Sequence, residues 1–446
     1  MKMTTITDNN MNSIDLNEYD LIDITEIQHN VRKCNTYDIE VENSHKFLVS
    51  NPANEIEEYI VSHNSAEIAI GDPDDYLFLR AKRWDLGNIP NWRGMSNNSI
   101  YVDNYSQISN EVWNGYTGNG EPYGFINLPL CQTQGRLGEY RVDNCVGTNP
   151  CAEANLEDGE ACNLSELYLN NIRSQEELND CARLLYKTQK AIWTLPAISE
   201  KTQKIAMKNM RIGMGVTGIC QVSDEKLQWL SNTYTELRRY DKEWSTYRGW
   251  AESIKLTTVK PSGTVSLLSG STPGIHPAYS QYYIRRVRIG SDDKLIKVCK
   301  ELGFAVKFVE NFDGSLDHKT CIVEFPCTAG ESTILAKDVS AIDQLELVKK
   351  VQTIWSDMSI SCTVYYKKDE LSNIKEWLKN NYANSVKTAS FLLHSDHGFK
   401  QAPYEEITKE QYKKLIAGIK PINVSINIGS ELLDNMECTS GACPIR

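Results

Sequence analysis

Apolar residues recur every three to four positions over 165–193, 196–210, 226–243, 292–302, 340–358 and 369–380, a spacing that predicts amphipathic helices. Between them, unbroken apolar runs at 255–259, 321–325 and 360–366 predict buried strands. Helices alternating with buried strands predict an α/β barrel. The first part of the chain reads differently. Residues 36–64 carry short strand patterns separated by turns, as a small all-β segment would. A late helix is expected over 405–418, and the end of the chain reads as a flexible tail. No internal repeat or low-complexity segment interrupts this order. The expected division is a segment over 1–64, a body over 65–425 and a tail over 426–446.

Composition changes the picture in three respects. At 446 residues the chain can bury a large core and hold two or three domains. No apolar run approaches the roughly 20 residues of a membrane span, and the start MKMTTITDNN lacks the basic and apolar regions of a signal peptide. No membrane partner is expected. A net charge of -12 argues against direct binding of nucleic acid through its phosphates. Acidic residues crowd the first 64 positions, suiting either a basic docking partner or a solvated face.

Thirteen cysteines without a secretory signal point to a reducing, cytoplasmic setting. Cys181, Cys220, Cys299, Cys321 and Cys362 lie in apolar contexts and are expected to be buried. Cys438 and Cys443 differ, because nothing apolar in their tail would bury them. Their spacing suits an exposed dithiol. The tail offers no further ligands for zinc, and no metal site is expected.

The most pointed chemistry lies at Asn149-Pro150-Cys151-Ala152-Glu153, with Cys162 eleven residues after Cys151. If this stretch is extended, Asn149, Cys151 and Glu153 share one face and aim an amide, a thiol and a base at one spot. Pro150 stiffens the run and disfavours helix before it.

The stretch 149–166 resembles the active-site finger loop of ribonucleotide reductases. Further blocks agree in that family's order: Arg211–Gly218, Lys260–Thr264, Thr272–Pro277, Tyr283–Arg286, Ser395–Tyr404 and the closing Cys438-x4-Cys443. Pro150 and the SDHGFKQAPY block look most like the monomeric, adenosylcobalamin-dependent (class II) ribonucleoside-triphosphate reductases. The likeness runs from about Ser65 onward. It implies the second half of a ten-stranded α/β barrel, built as two antiparallel halves of five strands, together with the finger loop. The first half of the barrel and the effector region are expected elsewhere.

That resemblance also implies roles. Cys151 would carry the thiyl radical, Glu153 would accept the 3′-hydroxyl proton, and Asn149 would hold the sugar hydroxyls. Cys162 would supply reducing equivalents and pair with a cysteine on the missing half. Cys438 and Cys443 would then reduce that disulfide by exchange, themselves recharged by thioredoxin or a similar dithiol. Ser262, Gly263, Thr264 and Gly274 resemble the substrate phosphate site. Lys260 and Arg285 could pair with its charge, although solvated surface is the preferred reading of both. Adenosylcobalamin is the implied radical source and a ribonucleoside triphosphate the implied substrate.

Thr36–Phe47 and Ile60–Ser65 resemble the two C-terminal blocks of an intein. An asparagine that attacks its own carbonyl releases the next residue, helped by a histidine that protonates the departing amine. A following serine accepts the upstream acyl group. His63, Asn64 and Ser65 stand in that order, and Asp38 and His45 match the assisting block. Asn51–Tyr59 is longer than the usual connection, which a hairpin loop tolerates. No N-terminal intein block precedes residue 36. The resemblance therefore implies half of a split intein fused to half of a reductase, completed by a separate chain carrying both N-terminal halves. Three other readings stay open: a fusion dead in splicing with a non-catalytic reductase remnant, a reductase acting on diphosphates, and a generic thiol oxidoreductase using the tail cysteines.

Overall fold

The computed structural model describes residues 46–50, 59–63 and 68–420, apart from 88, 90–92, 94–95, 134, 138–141, 198, 264, 311–313, 330–333 and 395–400. The chain forms two compact units, Met1–Ser65 and Ala66–Arg446. In the first unit, β1 (Lys46–Ser50) and β2 (Tyr59–His63) pair antiparallel, with Lys46 opposite His63. Strands were expected there. Asp38, His45, Asn64, Ser65 and the side chain of His63 lie outside the described residues.

The second unit combines parallel and antiparallel strands. In chain order they are β3 (Ile68–Gly71), β4 (Asn97–Tyr101), β5 (Gly124–Ile126), the short β6 (Gly147–Thr148) and β7 (Asn155–Leu156), β8 (Leu164–Tyr168) and β9 (Gly213–Thr217). After them come β10 (Tyr282–Gly290), β11 (Ala305–Glu310), β12 (Leu316–Thr328), β13 (Thr363–Tyr366), β14 (Thr388–Leu393) and β15 (Tyr404–Glu406). β8 lies parallel to β9. Bridges from Met214 to Thr257 and from Val259 to Ile360 then carry the parallel order through segment 255–259 to the chain entering β13. β13 continues in parallel to β14, and there the direction reverses, since β14 is antiparallel to β5. β5, β4 and β3 follow, parallel to one another.

One set of parallel strands runs from β8 to β14. A second set of opposite direction, β3 to β5, also lies within this chain rather than upstream of Ser65.

Helices cover the strands through the periodic faces that predicted them. Leu178, Ala182 and Tyr186 of helix Gln175–Ile192 join the main core, as do Leu227, Leu230 and Tyr234 of Asp224–Arg248 and Leu345, Val348 and Val351 of Ala341–Ile354. Each of these helices starts at a serine whose hydroxyl accepts an N–H of the first turn: Ser174, Ser223 and Ser340. The first residues of the expected 165–193 helix are instead β8 and a short turn, because the register with β9 uses Leu164–Tyr168 as a strand. Cys220, Cys299, Cys321 and Cys362 are buried as expected, whereas Cys181 is half-buried.

A separate antiparallel sheet in the order β11-β12-β10-β15 carries the late part of the unit. The helix Lys409–Ala417 follows β15 inside the expected 405–418 span. Among the described residues, no helix is long and apolar enough to cross a membrane.

Candidate active site

β6 and β7 pair antiparallel and form the stem of a finger whose tip is residues 149–154. The tip is not extended, so the expected sharing of one face by alternate residues does not hold. Ala152 donates its N–H to the Asn149 carbonyl at 2.9 Å and sits in the left-handed region at φ 64. The Ala154 N–H reaches the Asn149 side-chain oxygen at 3.0 Å, and Asn149 N–H reaches the Ala154 carbonyl at 3.1 Å. Asn149 thus closes the turn with both backbone and side chain.

The turn still brings the expected groups together. Cys151 lines a cavity with Asn97, Asn98, Ser99, Ser361, Thr363, Ser390 and His276. Asn97 donates its side-chain amide to the Pro150 carbonyl at 2.7 Å, tying the tip to β4. Glu153 is buried, and one of its carboxyl oxygens, Oε2, has no hydrogen-bond partner. Burial pushes its carboxyl above the usual range, opposed by a hydrogen bond from the Asn149 side chain and by the charge of Lys260. The Cys151 side of the tip thus borders a polar cavity two residues from a buried carboxyl with one unpartnered oxygen. Cys162 is exposed.

The finger is clamped at both ends by one side chain. Arg211 forks onto Asp143 at 2.6 and 2.8 Å, and its Nε lies 3.0 Å from Glu160 Oε1. Lys255 adds a second cation to Asp143 at 2.9 Å. Burial alone would raise the Asp143 pKa, but Arg211 and Lys255 hold this carboxyl far below its ordinary value. Asp143 precedes the hairpin and Glu160 follows it. Farther in, Asn155 of β7 exchanges hydrogen bonds with Ser359, and Thr258 donates to the Glu153 carbonyl at 3.0 Å.

The expected phosphate loop packs beside this tip. Ser262 is buried with φ 52, and its hydroxyl has no partner. Gly274, at φ 53, lies so close to the loop that a Cβ there would stand 2.2 Å from the Lys260 carbonyl. Its N–H is held by the Thr217 hydroxyl at 2.7 Å. Gly274 therefore packs directly against the loop that carries Ser262, and Gly263 in that loop is buried. Thr264, Cys438 and Cys443 lie outside the described residues.

Lys260 and Arg285, read from the sequence as solvated surface, are not, and two further residues, Glu166 and His276, were not singled out there. Lys260 is only 23% exposed and Nζ lies 3.9 Å from Glu166 Oε2, so it is no free surface cation. Glu166 is a buried acid on β8, inside the stretch that first drew attention, yet nothing in a lone strand glutamate marks it. Arg285 is fully buried, contrary to expectation, donating to the Arg286 and Pro403 carbonyls with its guanidinium 4.6 Å over Tyr404. His276 is buried too; burial lowers its pKa to about 4, and neutral Nε2 accepts the Thr363 N–H at 2.9 Å. It touches both the Cys151 cavity and a second cavity of about 380 Å³. That second cavity is walled by Tyr279, Tyr283, Tyr365, Tyr404, Tyr412 and Phe325.

Known proteins resemble this chain over most of its length. The family model for the barrel domain of ribonucleotide reductase matches residues 104–260 and 245–392. An adenosylcobalamin-dependent ribonucleoside-triphosphate reductase of Euglena gracilis is 35% identical over 389 residues, covering 84% of this chain and 52% of that protein. The corresponding protein of Lactobacillus leichmannii is 32% identical over 428 residues, covering 86% of this chain and 57% of its own length. A crystal structure of a B-12 dependent (class II) ribonucleotide reductase superposes with a TM-score of 0.63 at 28% identity, over 80% of this chain and 54% of that one. The chain thus spans about half the length of the curated relatives it matches.

Proposed function

The chain belongs to the ribonucleotide reductase family through its barrel domain, and from that premise we propose that it is the catalytic half of an adenosylcobalamin-dependent ribonucleoside-triphosphate reductase. The observation that carries this is the finger tip: Cys151 at a polar cavity, with Glu153 buried two residues on and its Oε2 unpartnered.

The chemistry follows from those positions. The 2′-hydroxyl of a ribose is a poor leaving group until the neighbouring carbon carries an unpaired electron. Cys151, as a thiyl radical, takes the 3′-hydrogen and later returns it. Glu153 receives the 3′-hydroxyl proton; burial makes it a stronger base than an exposed carboxylate. The 2′-oxygen departs as water, and Cys162 with a second cysteine supplies the two electrons, ending as a disulfide. Exposure of Cys162 leaves it open to a cysteine from another chain. Cys438 and Cys443 reduce that disulfide by exchange, and thioredoxin or a similar dithiol restores them.

The second cavity, at about 380 Å³, offers an aromatic wall for one part of a large cofactor rather than an enclosure for the whole of it. Tyr279 stacks on Tyr404 with ring centroids 5.7 Å apart, and Tyr283 adds a tilted ring at 5.6 Å. This aromatic wall of the second cavity would hold adenosylcobalamin next to His276 and hence next to the Cys151 cavity. Adenosylcobalamin when bound supplies an organic radical by homolysis of its cobalt–carbon bond. Ser262, Gly263, Thr264 and Gly274 hold the triphosphate.

A separate chain bearing the N-terminal halves of intein and reductase completes the enzyme. Support comes from the intein-like order His63-Asn64-Ser65, with Asp38 and His45 upstream, and from the edges of β3 and β8, which carry no further strand among the described residues. Protein splicing would join Ser65 to the upstream half.

The test combines the chain with a separately produced N-terminal half, adenosylcobalamin, CTP and a dithiol. Formation of dCTP, lost in Cys151→Ser, is the expected result. Undiminished reduction by Cys151→Ser would overturn the assignment. Mass spectrometry of the product should show Ser65 joined to new upstream sequence, and an intact Asn64–Ser65 bond alone would overturn the splicing proposal.

A further inference from the structure

Glu166 stands out among the buried polar groups because its one cation stands 3.9 Å away and no hydrogen bond completes it. Its side chain is 5% exposed, yet neither carboxyl oxygen makes a hydrogen bond. Leaving a buried carboxylate so is costly unless a ligand or proton completes it. The niche is built for it. Glu166 faces Gly215 across the β8–β9 pairing, and a Cβ on Gly215 would come within 2.7 Å of Glu166 Oε2.

Three groups face this carboxyl with charge or hydrogen-bonding capacity besides Ser262. Lys260 approaches to 3.9 Å from the end of segment 255–260, Glu153 contributes repulsion from the finger, and Tyr168 lies near on β8 itself. Lys260 acts on Glu153 and Glu166 alike, so one ammonium serves two acids. Burial raises the Glu166 pKa to about 7, with Lys260 and Ser262 pulling the other way. Ser262, whose hydroxyl is also unpartnered, belongs to the phosphate cradle. An anion arriving there must compete with Glu166 for Lys260.

We propose that Glu166 is a proton-coupled positioning residue for the substrate phosphates. When an anion binds at Ser262 and Gly263, the Glu166 carboxylate takes up one proton from solvent, and Lys260 turns to the phosphate. The sign follows from charge. An incoming phosphate shares the Lys260 ammonium and adds negative charge, and both effects favour protonated Glu166. This rests on the phosphate-loop reading given above.

Titration calorimetry of the full chain with inorganic tripolyphosphate, in buffers of different ionisation enthalpy, tests it. At pH 8 the wild type should take up close to one proton more than Glu166→Gln on binding. Relative to that variant, wild-type affinity should fall by on the order of tenfold per pH unit above neutrality. Lys260→Gln should weaken binding at every pH. Equal proton uptake and equal pH profiles in wild type and Glu166→Gln would overturn the inference and leave the phosphate loop standing. Absence of binding in both, with folding confirmed by circular dichroism, would instead remove the phosphate-loop reading and this inference with it.

Discussion

Two glutamates at this site differ in what touches them, and the roles proposed for them differ accordingly. Glu153 has one buried oxygen, Oε2, without a hydrogen bond, whereas Glu166 has neither oxygen bonded. Glu153→Gln keeps the shape and removes the base, so kcat of the completed enzyme should fall by about 10²- to 10⁴-fold with KM little changed. Because burial raises the Glu153 pKa, the acid limb of the wild-type pH profile should lie above that of an ordinary carboxylate. Glu166 makes a second, thermodynamic prediction. Its folded-state pKa is raised, so its favourable contribution is complete below the unfolded value and is lost as pH rises through about 7. A shift of that size corresponds to roughly 3 kcal/mol, so Glu166→Gln should gain in thermal stability relative to wild type between pH 5 and pH 8. A constant difference in melting temperature across that range would contradict it. At this scale the sequence was legible where residues come in motifs: Asn149, Cys151 and Glu153 announce themselves. Glu166 and Arg285 did not, because burial of a single charged strand residue depends on which neighbours the fold supplies.

Elements decide whether those residues meet. The finger was visible in the sequence as a motif, yet its shape was not, because Asn149 folds back on Ala154 where simple alternation predicts extension. Its placement depends on Arg211, whose contacts with Asp143 and Glu160 bracket the hairpin from sites far apart in the chain. Arg211→Leu would leave Glu160 without its cation and Asp143 with Lys255 alone. Breaking such a buried set costs about 3–5 kcal/mol. Chemical denaturation should show that loss, and Cys151 should react faster with a thiol reagent in the variant's native state as the tip comes free. Unchanged Cys151 reactivity would show that the stem and Asn155 hold the finger without the clamp. Longer elements were easier to read. The helices emerged from apolar periodicity, but β3, β4 and β5 escaped notice because each is only three to five residues long and none carries a sustained apolar run.

At the scale of the whole molecule, the strand series runs from β8 to β3 and changes direction once, between β14 and β5. Both terminal strands present backbone groups on their outer edges that no strand meets among the described residues. Exposed edges of this kind are templates for strand addition. A complementary chain that closes the barrel should pair there, whether or not splicing then joins the two covalently. Hydrogen exchange separates this from association elsewhere. On adding the N-terminal half, protection should rise at β3 and along Leu164–Tyr168 of β8. The amides that point away from β9 should gain most, since those facing β9 are already bonded. β13 and β14 sit inside the series and should change little. If protection rose only on the outer helices, the partner would be docking on the surface, and closure of the barrel by added strands would be excluded. If it rose at β8 but not β3, the complement would add to one edge without spanning the gap. Cys151 would then face an open sheet, where dissolved oxygen or another thiol would meet a thiyl radical before a ribose does. The pattern of protection therefore reports whether association alone builds the enclosure that radical chemistry needs.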